Sequence, residues 1–366
     1  MKNLKLITLM LCIIIATACK KEKNIASSDY SIDATASNTY ILRPDHTLWG
    51  CGRGSYGILG DSTISKSTTL VKIMENVIAT SCFGGHILVI KSDNTLWTCG
   101  YNTNGQLGDG SITNRNIFKK IADNVKAISA GGNHSLVLKT DNTLWACGNN
   151  NYGQLGDNTN NDRYELIKIA ENVKAMNAGF ENTFVLKTDN TLWACGRNNY
   201  GQYGNGTDID SNQLVKIADN IKTMSAGTHH TLVLKNDNSL WACGNNSSGQ
   251  LGDSTKIEKT RLIEIATNVK SASAGGFYSL VIKNDNTLWG CGSNFIGELG
   301  DGTGIDKIVL TKITDNVKLV SAKWQHSVIL KTDNTILASG VNALFGQLGD
   351  GTTIDKKTFT PMYIPW

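Results

Sequence analysis

The chain has 366 residues, 40% hydrophobic and 18% charged, with 37 Gly, 3 Pro and a net charge of +4. That balance supplies enough apolar material for a folded core and excludes a disordered chain. Abundant Gly without collagen periodicity points to many tight turns between short strands. So small a charge, with no basic cluster, argues against a nucleic-acid binder.

The chain opens MKNLKLITLMLCIIIATACKKEK. Lys2 and Lys5 form a short basic region, and the apolar run 6–16 is too short for a stable membrane span. Ala16-Thr17-Ala18 then places small residues before Cys19. The order resembles a bacterial lipobox, with Ala16 where Leu is more frequent. That resemblance implies cleavage after residue 18, acylation of Cys19 and a lipid-anchored, exported protein. An ordinary secretory signal with an incidental Cys is the alternative. Residues 19–30 read as an acylated Cys and polar tether. Lys20 in place of Asp favours the outer membrane, periplasmic or surface-exposed. Loss of Lys2 and Lys5 leaves a charge of about +2.

Beyond the tether a single unit recurs. Trp stands at 49, 97, 145, 193, 241 and 289, always 48 residues apart, and the next step falls on Leu337. The units run 29–76, 77–124, 125–172, 173–220, 221–268, 269–316 and 317–366, the last with one extra residue near Val341–Gly346. Each holds four strand signals, as in VKAISAGG, HSLVLK, TLWACG and ELIKIA. Asp-Asn pairs such as Asp141-Asn142 suit a hairpin turn between the second and third strands. A four-stranded sheet cannot bury both faces alone, so seven of them close into a ring. The predicted fold is all-β, a seven-bladed β-propeller over residues 31–366 with four-stranded antiparallel blades. The repeat Trp is expected to pack between blades, with Leu337 filling that place less fully.

The stretches GNNNYGQLGDN (148–158), GYNTNGQLGDG (100–110), GSNFIGELGDG (292–302) and AGGNHSLVLK (130–139) resemble the repeat of the regulator of chromosome condensation (alpha-tubulin suppressor-like) family. Departures are the Asp-Asn turn, Cys where a second Trp is common, and a first unit with Asn38 at the His position and RGSYGILGD. The founder of that family is a nucleotide exchange factor for the Ran GTPase, acting through a wedge that protrudes from one blade. These units are too even in length to leave room for one. A secreted bacterial relative inhibits β-lactamases with its loop face, which implies a protein-binding disc.

A residue present in nearly every unit reads as scaffold, and one that varies between equivalent positions is free to specialise. His86, His134, His230 and His326 share one corner, so each is expected to hydrogen-bond the turn of its own blade rather than ligate a metal. Cys51, Cys99, Cys147, Cys195, Cys243 and Cys291, with Ser339 seventh, read as buried free thiols. Cys82 reads the same way. Asp61, Asp109, Asp157, Asp253, Asp301 and Asp350 read as turn formers. No nucleophile elbow, phosphate loop or metal signature is present, and no cofactor is expected.

Parity puts the corners between first and second strands on one face, together with the long third-to-fourth connections. The short turns lie opposite. On the loop face the varying residues Phe180, Glu181, Thr228, His229, Phe277, Trp324 and Gln325, with Tyr101, Arg197, Tyr200 and Phe295 nearby, form a candidate partner-binding surface. Tyr152 shares the Tyr200 position and can equally be structural. The reading is a monomeric, non-enzymatic recognition module for a protein or glycan, touching the membrane only through its anchor. Alternatives are a lyase or hydrolase with its site at the channel mouth, a purely structural envelope component, and, last, an exchange factor.

Overall fold

A computed structural model describes residues 30–63 and 65–366. Cys19 and the leader lie outside the described residues. The first blade is β1 (Ser31–Ala34), β2 (Asn38–Leu42), β3 (Leu48–Gly52) and β4 (Ser67–Met74), paired antiparallel in chain order. Six more four-stranded sheets repeat that order, the last spanning Val317–Lys323, His326–Lys331, Ile336–Gly340 and Lys356–Pro361. The seven-bladed β-propeller is therefore present. The only helical segment among the described residues is a 3-10 turn at Ser55–Gly57.

The repeat explains itself residue by residue. In TDNTLW, Asp141 Oδ1 accepts from Thr143 N at 3.0 Å and Thr143 Oγ1 at 2.6 Å. Thr143 Oγ1 in turn accepts from Trp145 Nε1 at 2.9 Å. Asn142 turns the hairpin with φ +63°, a conformation Asn tolerates. In GNNNYGQLGD, Asn150 Oδ1 accepts from Leu155 N at 2.9 Å, while its Nδ2 donates to Asp157 Oδ1 at 2.9 Å and to Thr159 O at 3.0 Å. Asp157 is further held by Arg163 at 2.6 Å. Gly148 closes LWACG at φ +107°, where a Cβ would stand 2.5 Å from Asn133 O.

Second strands are buried on both faces, as in HSLVLK, because each blade is covered by neighbours on both sides. The repeat Trp is half-buried; Trp193 packs against the cluster shared by blades three and four.

Blades are clasped by one recurring polar device. The hydroxyl after each corner donates to the carbonyl of the GQLG Gln in the preceding blade: Ser135 to Gln106, Thr183 to Gln154, Ser279 to Gln250 and Thr39 to Gln347, all at 2.7 Å. The corner His of that preceding blade meets the same hydroxyl, His86 with Ser135 at 2.9 Å, His134 with Thr183 at 3.1 Å, His230 with Ser279 at 2.9 Å and His326 with Thr39 at 3.0 Å. The sequence expectation that each His bonds its own turn is thus corrected. The ring projects from the sheet face, and the next blade covers that face. A hydroxyl has one proton, here given to the carbonyl, so Nε2 must donate. Nδ1 is left bare and buried, without a hydrogen-bond partner among the described residues. A second proton would be stranded there, and burial pushes His86 and His326 down to about 4 and His134 and His230 to about 3.

The seven described cysteines are buried and free. Cys51, Cys147, Cys195, Cys243 and Cys291 aim their thiols at the same Gln carbonyls from 3.3 to 3.6 Å.

The ring closes without exchanging a strand. Ser321 Oγ accepts from Ala34 N at 2.9 Å, repeating a bond that Ser129 makes to Ala178 at 2.9 Å. Beyond the last strand, Met362 and Ile364 enter the core between blades seven and one, and Trp366 lies 4.8 Å from Trp49. The junction of blades one and two is different. Asn38 replaces His, Ile87 replaces the hydroxyl, and Tyr40 OH instead donates to Ile58 O at 2.6 Å. Leu59, Val77, Ile87, Val89 and Phe118 fill this seam with apolar contact.

Candidate functional site

The corners converge at one mouth of the central channel. Phe180, from blade four, has ring centroids 6.1 Å from Phe83 in blade two, 6.4 Å from His229 in blade five and 5.7 Å from Trp324 in blade seven. A side chain that meets blades two, five and seven at once must stand at the axis, so Phe180 closes the mouth. Gly132 makes room for it: a Cβ there would come 2.8 Å from the Phe180 ring. His229 extends the aromatic surface to Tyr200 at 5.0 Å and Phe277 at 6.2 Å. Such rings give offset and tilted contacts that hold one another in place.

Charge surrounds this plug. Arg197 Nη1 pairs with Glu181 Oε2 at 2.5 Å, and its guanidinium lies 5.0 Å over the Tyr152 ring. Burial and the Arg197 charge push His229 down to about 4, so it is a neutral ring at pH 7. Lys323 occupies a corner position that is Gly131, Gly179, Gly227 or Gly275 in other blades. Its ammonium is buried 4.3 Å over Phe83, and burial pushes it down to about 8 against the opposing pull of Asp33 and Cys82. Trp324 beside it has φ +48°, a strained conformation for a bulky residue. Thr228 Oγ1 and His229 Nδ1 are buried with no hydrogen-bond partner among the described residues. The mouth therefore offers apolar rings, unfilled polar capacity and one buried cation.

Residues 16–256 match the RCC1-like domain, and residues 237–282 match the regulator of chromosome condensation (RCC1) repeat. The chain belongs to the RCC1-like family. Its propeller is similar to that of human WBSCR16, at 19% identity, 87% coverage of this chain, 94% of that one and a TM-score of 0.77. It is similar to yeast RCC1 (Prp20) in a complex with Kap60, at 17% identity, 100% and 91% coverage and a TM-score of 0.79. Prp20p from Saccharomyces cerevisiae, described with its binding properties to Gsp1p and histones, shares 23% identity over 82% of this chain and 81% of its own, at a TM-score of 0.72. At such identities the likeness is one of fold. Comparison with curated proteins finds no match.

Within this RCC1-like ring, Phe180, Glu181, His229, Phe277, Trp324, Arg197 and Tyr200 gather at the mouth. Gln325 is exposed beside Trp324. Tyr101 and Phe295 stand apart. Tyr101 pairs with Tyr56 at 5.2 Å, and Arg53 covers Tyr56 at 5.1 Å and Phe345 at 5.3 Å, making a second, smaller patch. Phe295 is 78% exposed on its own loop. Sequence reasoning passed over Phe83, Lys323, Arg53, Tyr56 and Phe345. The signal for Phe83 and Lys323 was present, since each breaks the Gly of the AGxxH corner.

Proposed function

We propose that this RCC1-like chain is an exported, lipid-anchored recognition module, tethered through Cys19, that captures a protein partner at the channel mouth of its loop face. The observation that carries the reading is the axial cluster of Phe180 with Phe83, His229 and Trp324. It is built from corner residues that differ from blade to blade on an otherwise repeating scaffold. A rigid ring presents these groups with little ordering cost on binding. Aromatic anchors framed by Arg197 and Glu181 match the composition of interface hot spots. An apolar side chain of the partner packs on Phe277, His229 and Trp324, while its polar groups meet Thr228 and Lys323. The solved relatives bound to Kap60, or described as binding Gsp1p and histones, support a protein as the ligand of such a propeller.

The test is capture by the immobilised chain against a Phe277→Ala/His229→Ala/Trp324→Ala variant. A protein retained by the parent is lost from the variant while the variant still unfolds cooperatively, since the clasps between blades lie elsewhere. Equal retention by both would reject the site.

A further inference from the structure

The face opposite the loops carries a feature that the recognition surface does not use. The first strand of each blade begins on that face. Val125, Val173, Ile221, Val269 and Val317 each donate a backbone bond to the turn Asn carbonyl of the preceding blade, at 2.8 to 3.1 Å. The next residue in all five blades is Lys: Lys126, Lys174, Lys222, Lys270 and Lys318. These are innermost strands of consecutive blades, so the five lysines form an arc around the turn-side mouth of the channel. Lys174, Lys222 and Lys270 donate to Asn190, Asn238 and Asn286 Oδ1 at 2.6 to 2.7 Å, and none of the three has a salt bridge among the described residues. Lys270 is held below its usual range by burial and then by the Lys318 charge, so neighbours in the arc feel one another.

The acidic groups of this face are matched by other cations. Lys72, Lys120, Lys168, Lys216 and Lys312 on the fourth strands pair with Glu75, Asp123, Glu171, Asp219 and Asp315. Each turn Asp, from Asp45 to Asp333, follows a cation that ends the second strand, from Arg43 to Lys331. Glu264 replaces the fourth-strand lysine in blade five. Lys174, Lys222 and Lys270 stand outside these pairs among the described residues.

The chain also enters the fold here. Ala34 pairs with Thr39 as Ala130 pairs with Ser135, which makes Tyr30 the counterpart of Lys126. Residues 20–29 join Cys19 to Tyr30 and reach at most about 40 Å when fully extended. A tether leaving at the lysine arc gives that face the shorter path to whatever Cys19 is fixed in.

We infer that the lysine arc on the turn face docks onto the anionic surface of the membrane that holds the anchor, which points the aromatic channel mouth away from the bilayer. The inference rests on the lipid-anchored reading. The attraction amounts to about fivefold in affinity for each lysine near such a surface and is screened by salt.

The test uses the unacylated chain from residue 20, whose ring closes through contacts within 31–366. It is sedimented with phosphatidylcholine vesicles, with and without about one-third phosphatidylglycerol. Retention is expected only on the anionic vesicles, to fall with salt, and to drop about 100-fold in Lys174→Gln/Lys222→Gln/Lys270→Gln at about fivefold per lysine. A control with the same charge change on the loop face, Lys66→Gln/Lys256→Gln/Lys357→Gln, should bind as the parent does. Equal retention on neutral vesicles, or an equal loss in the control, overturns the inference. So does protection against melting by tripolyphosphate through these lysines without vesicle retention, which marks a small-anion site. Mass spectrometry of the mature N-terminus separates the two readings. Lysine-dependent retention with an unacylated Cys19 removes the anchor and keeps the surface, whereas an acylated Cys19 without lysine dependence does the reverse.

Discussion

Mild acid should unfold this ring through its four clasping histidines. In the unfolded chain histidine titrates near 6.5, whereas the folded structure holds His86 and His326 at about 4 and His134 and His230 at about 3. Between those values the unfolded chain binds more protons than the folded one. Stability is therefore full above about pH 6.5 and falls as pH drops toward 4. At pH 5 each histidine contributes a loss on the order of 2 kcal/mol, about 8 kcal/mol for the four together. That rivals the whole stability of an ordinary domain, about 5–15 kcal/mol. Urea unfolding followed by circular dichroism from about pH 7.5 to about pH 5 should give a steep loss, with an uptake of nearly five protons at the acid end, because His229 is also held down to about 4. The variant His86→Asn/His326→Asn copies the residue already found at Asn38 and Asn182, and should cut that slope by about two-fifths, leaving His134, His230 and His229. Stability that is flat across the window, or a slope unchanged in the variant, would refute the clasp as drawn.

Three further outcomes follow from the same contacts. Ser135→Ala leaves the Gln106 carbonyl and His86 Nε2 without their partner and should cost about 1–3 kcal/mol in denaturant titration, with the fold retained. Leu337→Trp restores the repeat Trp where Thr335 and Lys331 already stand, and should raise the melting temperature with a gain of up to about 1 kcal/mol from the new hydrogen bond to Thr335. The seven described thiols should resist Ellman's reagent in the native state and react only on unfolding, because all are buried and burial pushes Cys51, Cys147 and Cys291 up to about 12 and raises Cys99, Cys195 and Cys243 as well.

The blade count, the strand order and the two faces were legible because a 48-residue period repeats both the apolar pattern and its punctuation. Asp141-Asn142-Thr143 announces a turn within four residues, and Trp145 completes it from two residues away. Local chemistry of that kind can be read along the chain. The clasp could not, since His86 and Ser135 are 49 residues apart and His326 meets Thr39 only when the ring closes. The candidate surface was legible as a set of variable corners but not as a constellation. Phe180 becomes a plug because blades two, five and seven meet at the axis, a consequence of circular closure. Tyr101 and Phe295 share the face and not the cluster, because radius within a blade leaves no mark in the period. Lys323 carried a visible anomaly, a cation in place of Gly, yet its burial over Phe83 depends on a blade two positions round the ring.

The most direct test of the account is site-specific photocrosslinking of the anchored chain in its own envelope. A photoreactive phenylalanine is placed at Phe277 on the loop face or at Asp189 on the turn face. The account predicts a discrete crosslinked protein band from position 277 and none from position 189. A band from 189 alone, or the same band from both, would contradict it.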